Sequence, residues 1–286
     1  MSVCNVCFRH CEIEEGKTGF CGVRGCVDGK VVAKNYAKIT SLALDPIEKK
    51  PLRRFYPGSM ILSVGSYGCN LRCPFCQNHE ISWSESAMRF LEEADELTPE
   101  ELAECALRYK AHGNIGVAFT YNEPLIGYEY VRDCAKLIHD RGMQVVLVTN
   151  GTAGTEILTE LEPYVDAMNI DLKGFTQHYY RDVLKGDLDM VKEFIRYAVT
   201  FCHVELTTLI VPGENDSEEE MQQISGWIAS LQDRDHTRIG EEIPLHISRF
   251  FPQFHMLDRE ATDVGLIYRL KAAAEKNLKY VYTGNC

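Results

Sequence analysis

"MILSVGSYGCNLRCPFCQNHE", residues 60–80, begins as an apolar run and breaks into three cysteines spaced C-x3-C-x2-C. The run "MILSVGS" (60–66) reads as a buried strand. Similar runs recur downstream as "IGVAFTY" (115–121), "QVVLVTN" (144–150), "AMNIDLK" (167–173), "HVELTTLIV" (203–211) and "IPLHISRF" (243–250). Each is short and apolar at most positions, as expected of parallel strands covered on both faces. Helical patterns lie between them. "LTPEELAECALRYKAHG" carries Thr98 as N-cap, Pro99 at the first helical position and Glu101 closing a capping box. Gly142 stands where "VRDCAKLIHDRG" needs a residue with φ > 0. "NDSEEEMQQISGWIASL" offers a second box from Asp216 and Glu219.

Six β/α units in series admit a doubly wound sheet or a barrel. A dinucleotide-binding sheet would follow its first strand with a glycine-rich turn, whereas this chain places a cysteine loop there. The expectation is therefore α/β: a partial (β/α)6 TIM-type barrel over residues 58–286, with its chemistry on loops after the strand C-termini. Residues 1–57 are read as a separate cysteine-rich metal-binding extension.

The 286 residues include 30 basic and 42 acidic side chains, a net charge of −12. Such a chain is a poor electrostatic partner for nucleic acid or an anionic membrane. Neither a signal peptide nor a membrane span is legible, so the expected location is cytoplasmic. In a reducing compartment its 12 cysteines point to metal rather than disulfides. Cys105, Cys134, Cys202 and Cys286 are scattered, and the first two fall on apolar helix positions as small hydrophobes.

Three thiolates on a tight loop can hold a cubane iron–sulfur cluster while leaving its fourth iron free. The ligands would be Cys69, Cys73 and Cys76; the plainer alternative is a zinc site that borrows His79. The loop, with Phe75 before its last cysteine, resembles the signature of the radical S-adenosylmethionine (SAM) superfamily. That resemblance implies a [4Fe–4S] cluster whose open iron chelates SAM. Reductive cleavage would then yield methionine and a 5′-deoxyadenosyl radical that abstracts hydrogen. "FTYNEPLI" resembles the family's Gly-Gly-Glu-Pro element, with Tyr121 and Asn122 in the glycine positions. Asn122 and Glu123 would there receive the SAM ammonium. Asp171 and Lys173 of "NIDLKGF" resemble an Asp-Leu-Lys element contacting ribose and carboxylate. Val211 would lie against the adenine, and His246 stands in for a SAM-contacting histidine.

"DPIEKKPL", "SVGSYGCNLRCPFCQNHEIS", "VTNG" and "YVYTGN" narrow the resemblance to the radical SAM enzymes of the AmmeMemoRadiSam system, relatives of the pyruvate formate-lyase activating enzymes. Those activators carry Asp-Thr-Asn-Gly after the third strand, where the Asp helps to bind a monovalent cation. Val148 replaces it here; Thr149 and Asp171 remain from that set. The resemblance further implies an electron donor such as a flavodoxin or ferredoxin.

In "CNVCFRHCEIEEGKTGFCGVRGC", Cys4, Cys7, Cys11 and Cys21 match a recurring family set and Cys26 is additional. Four thiolates make a closed site, suited to zinc or to an auxiliary iron–sulfur cluster. Three functions compete: a radical SAM enzyme acting on a protein glycine, one acting on a small molecule, and a non-catalytic zinc or electron-transfer protein. The SAM-type elements argue against the third.

Overall fold

A computed structural model describes all 286 residues. One sheet holds β1 (Ser41–Pro46), β2 (Met60–Gly65), β3 (Asn114–Phe119), β4 (Gln144–Thr149), β5 (Ala167–Asp171), β6 (His203–Ile210), β7 (Leu245–Arg249) and β8 (Val281–Gly284). Its strands lie side by side in chain order. A doubly wound sheet would reverse direction at a switch point, so this order decides for a partial barrel. β1 is antiparallel to β2, and every other neighbouring pair is parallel. The six expected strands are β2 to β7. β1 and β8 extend the sheet at its two edges, and β1 lies inside the segment expected as extension.

Helices α1 (Pro99–Arg108), α2 (Tyr128–Asp140), α3 (Thr155–Leu161), α4 (Leu188–Ala198), α5 (Glu218–Ala229) and α6 (Val264–Ala274) fill the crossovers. The capping box of α1 forms between Thr98 and Glu101. For α5 the cap is one residue later than expected. Ser217, not Asp216, accepts from the N–H of Glu220, because Asp216 is taken by the N–H of Gly213 at 2.9 Å.

Alternation along the strands separates two environments. Leu62, Val117, Phe119, Val145, Leu147, Met168 and Ile170 join the main core under the helices, which also contains Cys105 and Cys134. Ile61, Ala118, Val146 and Ala167 point the other way and pack with Ile47 and Leu52 from the segment before β2. That second cluster plugs the barrel floor. On the same inward parity, the later strands carry Asn169, Glu205, Thr207 and His246, all buried.

Two small hairpins build the extension. Ser2–Val3 pairs with Glu12–Ile13, and Arg24–Val27 pairs with Lys30–Ala33 across Asp28-Gly29. Both turn residues have positive φ, 50° and 70°, the geometry that makes Asp-Gly a favoured hairpin turn. The extension docks on the loop after β4 through the N–H of Gly154 and the carbonyl of Val6, 2.9 Å apart. Arg24 adds an ion pair to Glu129 at 2.7 Å.

Candidate active site

The cysteine loop leaves β2 at the C-terminal mouth of the barrel. Gly68 sits at φ +90°, and a Cβ there would stand 2.8 Å from the Cys21 carbonyl oxygen. Only glycine permits both that backbone and that approach. Cys73 is buried, while Cys69 and Cys76 are partly open. All three lie deep among protein atoms, as expected at the base of a cleft. Burial pushes the Cys73 thiol up to about 11 and raises the other two as well; the Glu123 charge adds to the effect at Cys69. Filling such a site with metal must release protons. A mononuclear zinc site would need a fourth ligand beside the three thiols. His79 is engaged elsewhere: its ring stacks on Phe254 at 4.0 Å and its Nδ1 lies 3.1 Å from the Cys76 carbonyl oxygen. One buried and two partly open thiols on a single loop fit a cubane with one free iron.

Asp171 and Lys173 reach the same cleft from the end of β5, paired at 2.6 Å and both partly accessible. Burial works against the Lys173 ammonium, but Asp171 and the neighbouring Cys73 hold its pKa above the ordinary lysine range. Val148 has the inward parity of Val146, so an apolar side chain occupies the position of the activators' cation-binding carboxylate.

The Asn-Glu pair after β3 does something other than expected. The Asn122 side-chain oxygen accepts from the N–H of Ser66 at 3.0 Å, and its amide donates to the carbonyls of Tyr67 and Gly68 at 3.1 Å. Glu123 accepts from the N–H of Leu125, the hydroxyl of Thr149 and the N–H of Asn150 at 3.0, 2.7 and 2.8 Å. Burial raises its pKa to about 7 against these donors. Both side chains are therefore struts joining the ends of β2, β3 and β4. Thr149 is likewise committed to Glu123. Tyr121, in the first glycine position of the resembled element, has φ +72°, the left-handed region that favours glycine, and its hydroxyl bonds Asp45 at 3.0 Å. Asn122→Ala should free the backbone ahead of Cys69; reconstituted iron at the loop should drop below half of the parent value, and unchanged iron content would contradict the strut role.

Phe75 is buried edge-on against Phe250, with centroids 6.4 Å apart, and Val211 is fully buried in the core. Neither offers an open face to the cleft. His246 is not brought to the loop at all. Its Nε2 lies 2.6 Å from Glu205, which also binds His203 at 3.0 Å and accepts from the N–H groups of Arg53 and Arg54 at 3.0 and 2.7 Å. Those arginines precede β2, so this network belongs to the barrel floor.

Several residues at the site were not singled out from sequence. Asn70 is bridged by Asn150 at 3.0 Å and donates to Thr152 at 2.8 Å, while Asn150 also approaches the Cys69 sulfur at 3.7 Å. Asn150 belongs to the quoted "VTNG", so its signal was present. Tyr180 accepts from the N–H of Lys173 at 2.9 Å, and the buried Tyr179 hydroxyl beside it has no partner. Both tyrosines begin a π-helical turn, Tyr179–Leu184, a form found disproportionately at functional sites.

At the N-terminus, Cys4, Cys7, Cys11 and Cys21 line one cavity. Cys26 does not join them; it is fully buried in the second hairpin.

A barrel whose mouth carries these thiols and this ion pair defines the class. Residues 63–224 match the Radical SAM superfamily, and the chain belongs to that superfamily as one of its enzymes. It is 41% identical to protein MJ0808 of Methanocaldococcus jannaschii over 99% of this chain and 80% of that one. It is 28% identical to the pyruvate formate-lyase-activating enzyme of Clostridium pasteurianum, covering 68% of this chain and 82% of the relative. Among solved structures, Streptococcus suis SuiB bound to S-adenosylmethionine superposes with a TM-score of 0.56 at 13% identity. That match covers 77% of this chain and 48% of SuiB. No helix is long and apolar enough to cross a membrane.

Proposed function

We propose that Cys69, Cys73 and Cys76 hold a [4Fe–4S] cluster with one open iron, and that the chain uses it to cleave SAM reductively and abstract hydrogen from a protein glycine. The observation that carries this reading is the grouping of the three loop thiols with the Asp171–Lys173 pair, whose charges act on Cys73 and Cys76. When bound, the cluster supplies the electron that breaks the sulfonium C–S bond. The chain's own groups do the rest. Lys173 presents a cation suited to a carboxylate, and Asp171 keeps an acceptor free for ribose hydroxyls. Glu123, Asn122 and Asn150 fix the strand ends relative to Cys69. The apolar plug of Ile47, Leu52, Ile61, Ala118, Val146 and Ala167 keeps water from entering beneath β2 to β5.

The glycine target rests on likeness to activating enzymes, including the putative glycyl-radical enzyme activating enzyme MJ1632 of Methanocaldococcus jannaschii at 25% identity. A small-molecule target is the second reading, favoured by 29% identity to the GTP 3′,8-cyclase of Pseudomonas syringae over 63% of this chain. Deuterium passing from a glycine-labelled partner protein into 5′-deoxyadenosine supports the first; transfer from a labelled metabolite supports the second. In either case Asp171→Asn removes the counter-charge of a buried ammonium. SAM affinity should fall about 10- to 100-fold, the worth of a charged hydrogen bond, and an unchanged Kd in equilibrium binding would count against the assigned role.

A further inference from the structure

Tyr179 is only 1% exposed, yet its hydroxyl has no hydrogen-bond partner. Leaving a buried hydroxyl unpaired is costly, and phenylalanine would fill the same space without that cost. The local structure nevertheless provides for this ring. The Tyr179 N–H donates to the Thr176 hydroxyl at 3.2 Å as the turn begins. Gly174 leaves room, since a Cβ there would stand 2.6 Å from the Tyr179 Cδ1. The far end of the turn is tied to the cysteine loop. The Arg72 N–H donates to the Leu184 carbonyl at 2.9 Å, and a Cβ on Gly186 would stand 2.8 Å from Leu71. Tyr179 therefore belongs to a turn clamped to the loop, with its ring against the residue after Lys173.

Burial aside, the charges that act on this hydroxyl are those of Cys73, Lys173, Glu214 and Tyr180, with Cys73 first. A lysine ammonium has no lone pair to offer. Glu214 is committed to Arg259 at 2.6 Å, and the Tyr180 oxygen takes the N–H of Lys173 at 2.9 Å. Cys73 remains. A neutral thiol accepts weakly, but a cysteine bound to iron is a thiolate, and hydrogen bonds to an ionised acceptor are the strong ones.

We propose that the Tyr179 hydroxyl donates a hydrogen bond to the Cys73 thiolate when the cluster is bound, and thereby raises the cluster's reduction potential. The inference rests on the cluster assignment proposed above. Reduction puts more negative charge on the sulfurs, so a donor aimed at one of them favours the reduced form. Tyr179 touches neither SAM nor substrate in this role; it acts through Cys73.

Tyr179→Phe keeps the ring and removes only the oxygen. At equal iron content and without SAM, a potentiometric titration followed by EPR should place the cluster midpoint at a more negative potential than in the parent. An unchanged or more positive midpoint overturns the proposal. After reconstitution in D2O, pulsed EPR of the reduced parent should show an exchangeable deuteron coupling that Tyr179→Phe lacks; identical couplings in both proteins overturn it. A third measurement needs no cluster. In the metal-free protein the hydroxyl has no bond to lose, so Tyr179→Phe should leave the urea midpoint unchanged or raise it. A lowered midpoint would mean that the hydroxyl is already bonded, which overturns the proposal. Weaker SAM binding at an unchanged potential assigns the hydroxyl to SAM and overturns it as well. Failure of the parent to assemble a cubane strikes the reading of the cysteine loop, whereas a cubane indifferent to Tyr179→Phe strikes only this inference.

Discussion

Cys73→Ala should reduce 5′-deoxyadenosine formation to background under anaerobic conditions with SAM and reductant. Cys73 is the most buried of the three loop thiols, and the two that remain cannot hold the cubane in its place. The substitution removes a side chain of modest size, so the barrel should still fold while iron at the loop is lost. Metal analysis beside product chromatography separates the two effects. Full cleavage activity in this variant would overturn the assignment of the loop.

Glu205→Ala should destabilise the cluster-free protein by about 3–5 kcal/mol, the usual cost of removing one partner from a buried charged pair. The change leaves His203, His246 and the N–H groups of Arg53 and Arg54 without their shared acceptor in the barrel floor. Urea unfolding followed by circular dichroism gives the difference, and a loss below about 1 kcal/mol would mean that the network contributes little. The parent should also show a defined acid limit. Burial alone would raise the Glu205 carboxyl, yet the two histidines and two backbone N–H groups hold it at about 2, below its ordinary 4.5. A depressed carboxylate stabilises the fold above its unfolded pKa, so this contribution is present above about pH 4.5 and is lost as pH falls towards 2. His246→Gln should weaken the floor in the same assay and leave SAM affinity unchanged, because His246 serves Glu205 and does not reach the cleft.

The strands β2 to β7 were legible because each is a buried apolar run bounded by turn residues. The edges were not. β8 has four residues, and β1 alternates weakly and ends in Pro46, too little for periodicity to register. At the site, the spacing of the three cysteines, and the likeness of Asp171 and Lys173 to a family element, named side chains that the fold carries to the ends of β2 and β5. They did not reveal which lone pairs were already claimed. Asn122 and Glu123 carry acceptors suited to an ammonium, yet the backbone of Ser66, Leu125 and Asn150 takes them first. His246 misled for a related reason. It is the second residue of β7, and an inward residue so near a strand's start faces the floor. Counting from the strand start would have placed it correctly.

The most direct test of the open iron is EPR of the anaerobically reduced protein before and after SAM is added. Direct chelation should shift the g-values and line shape of the cluster signal, and Asp171→Asn should move that response to higher SAM concentration. A reduced-cluster spectrum that stays the same at saturating SAM would contradict the account.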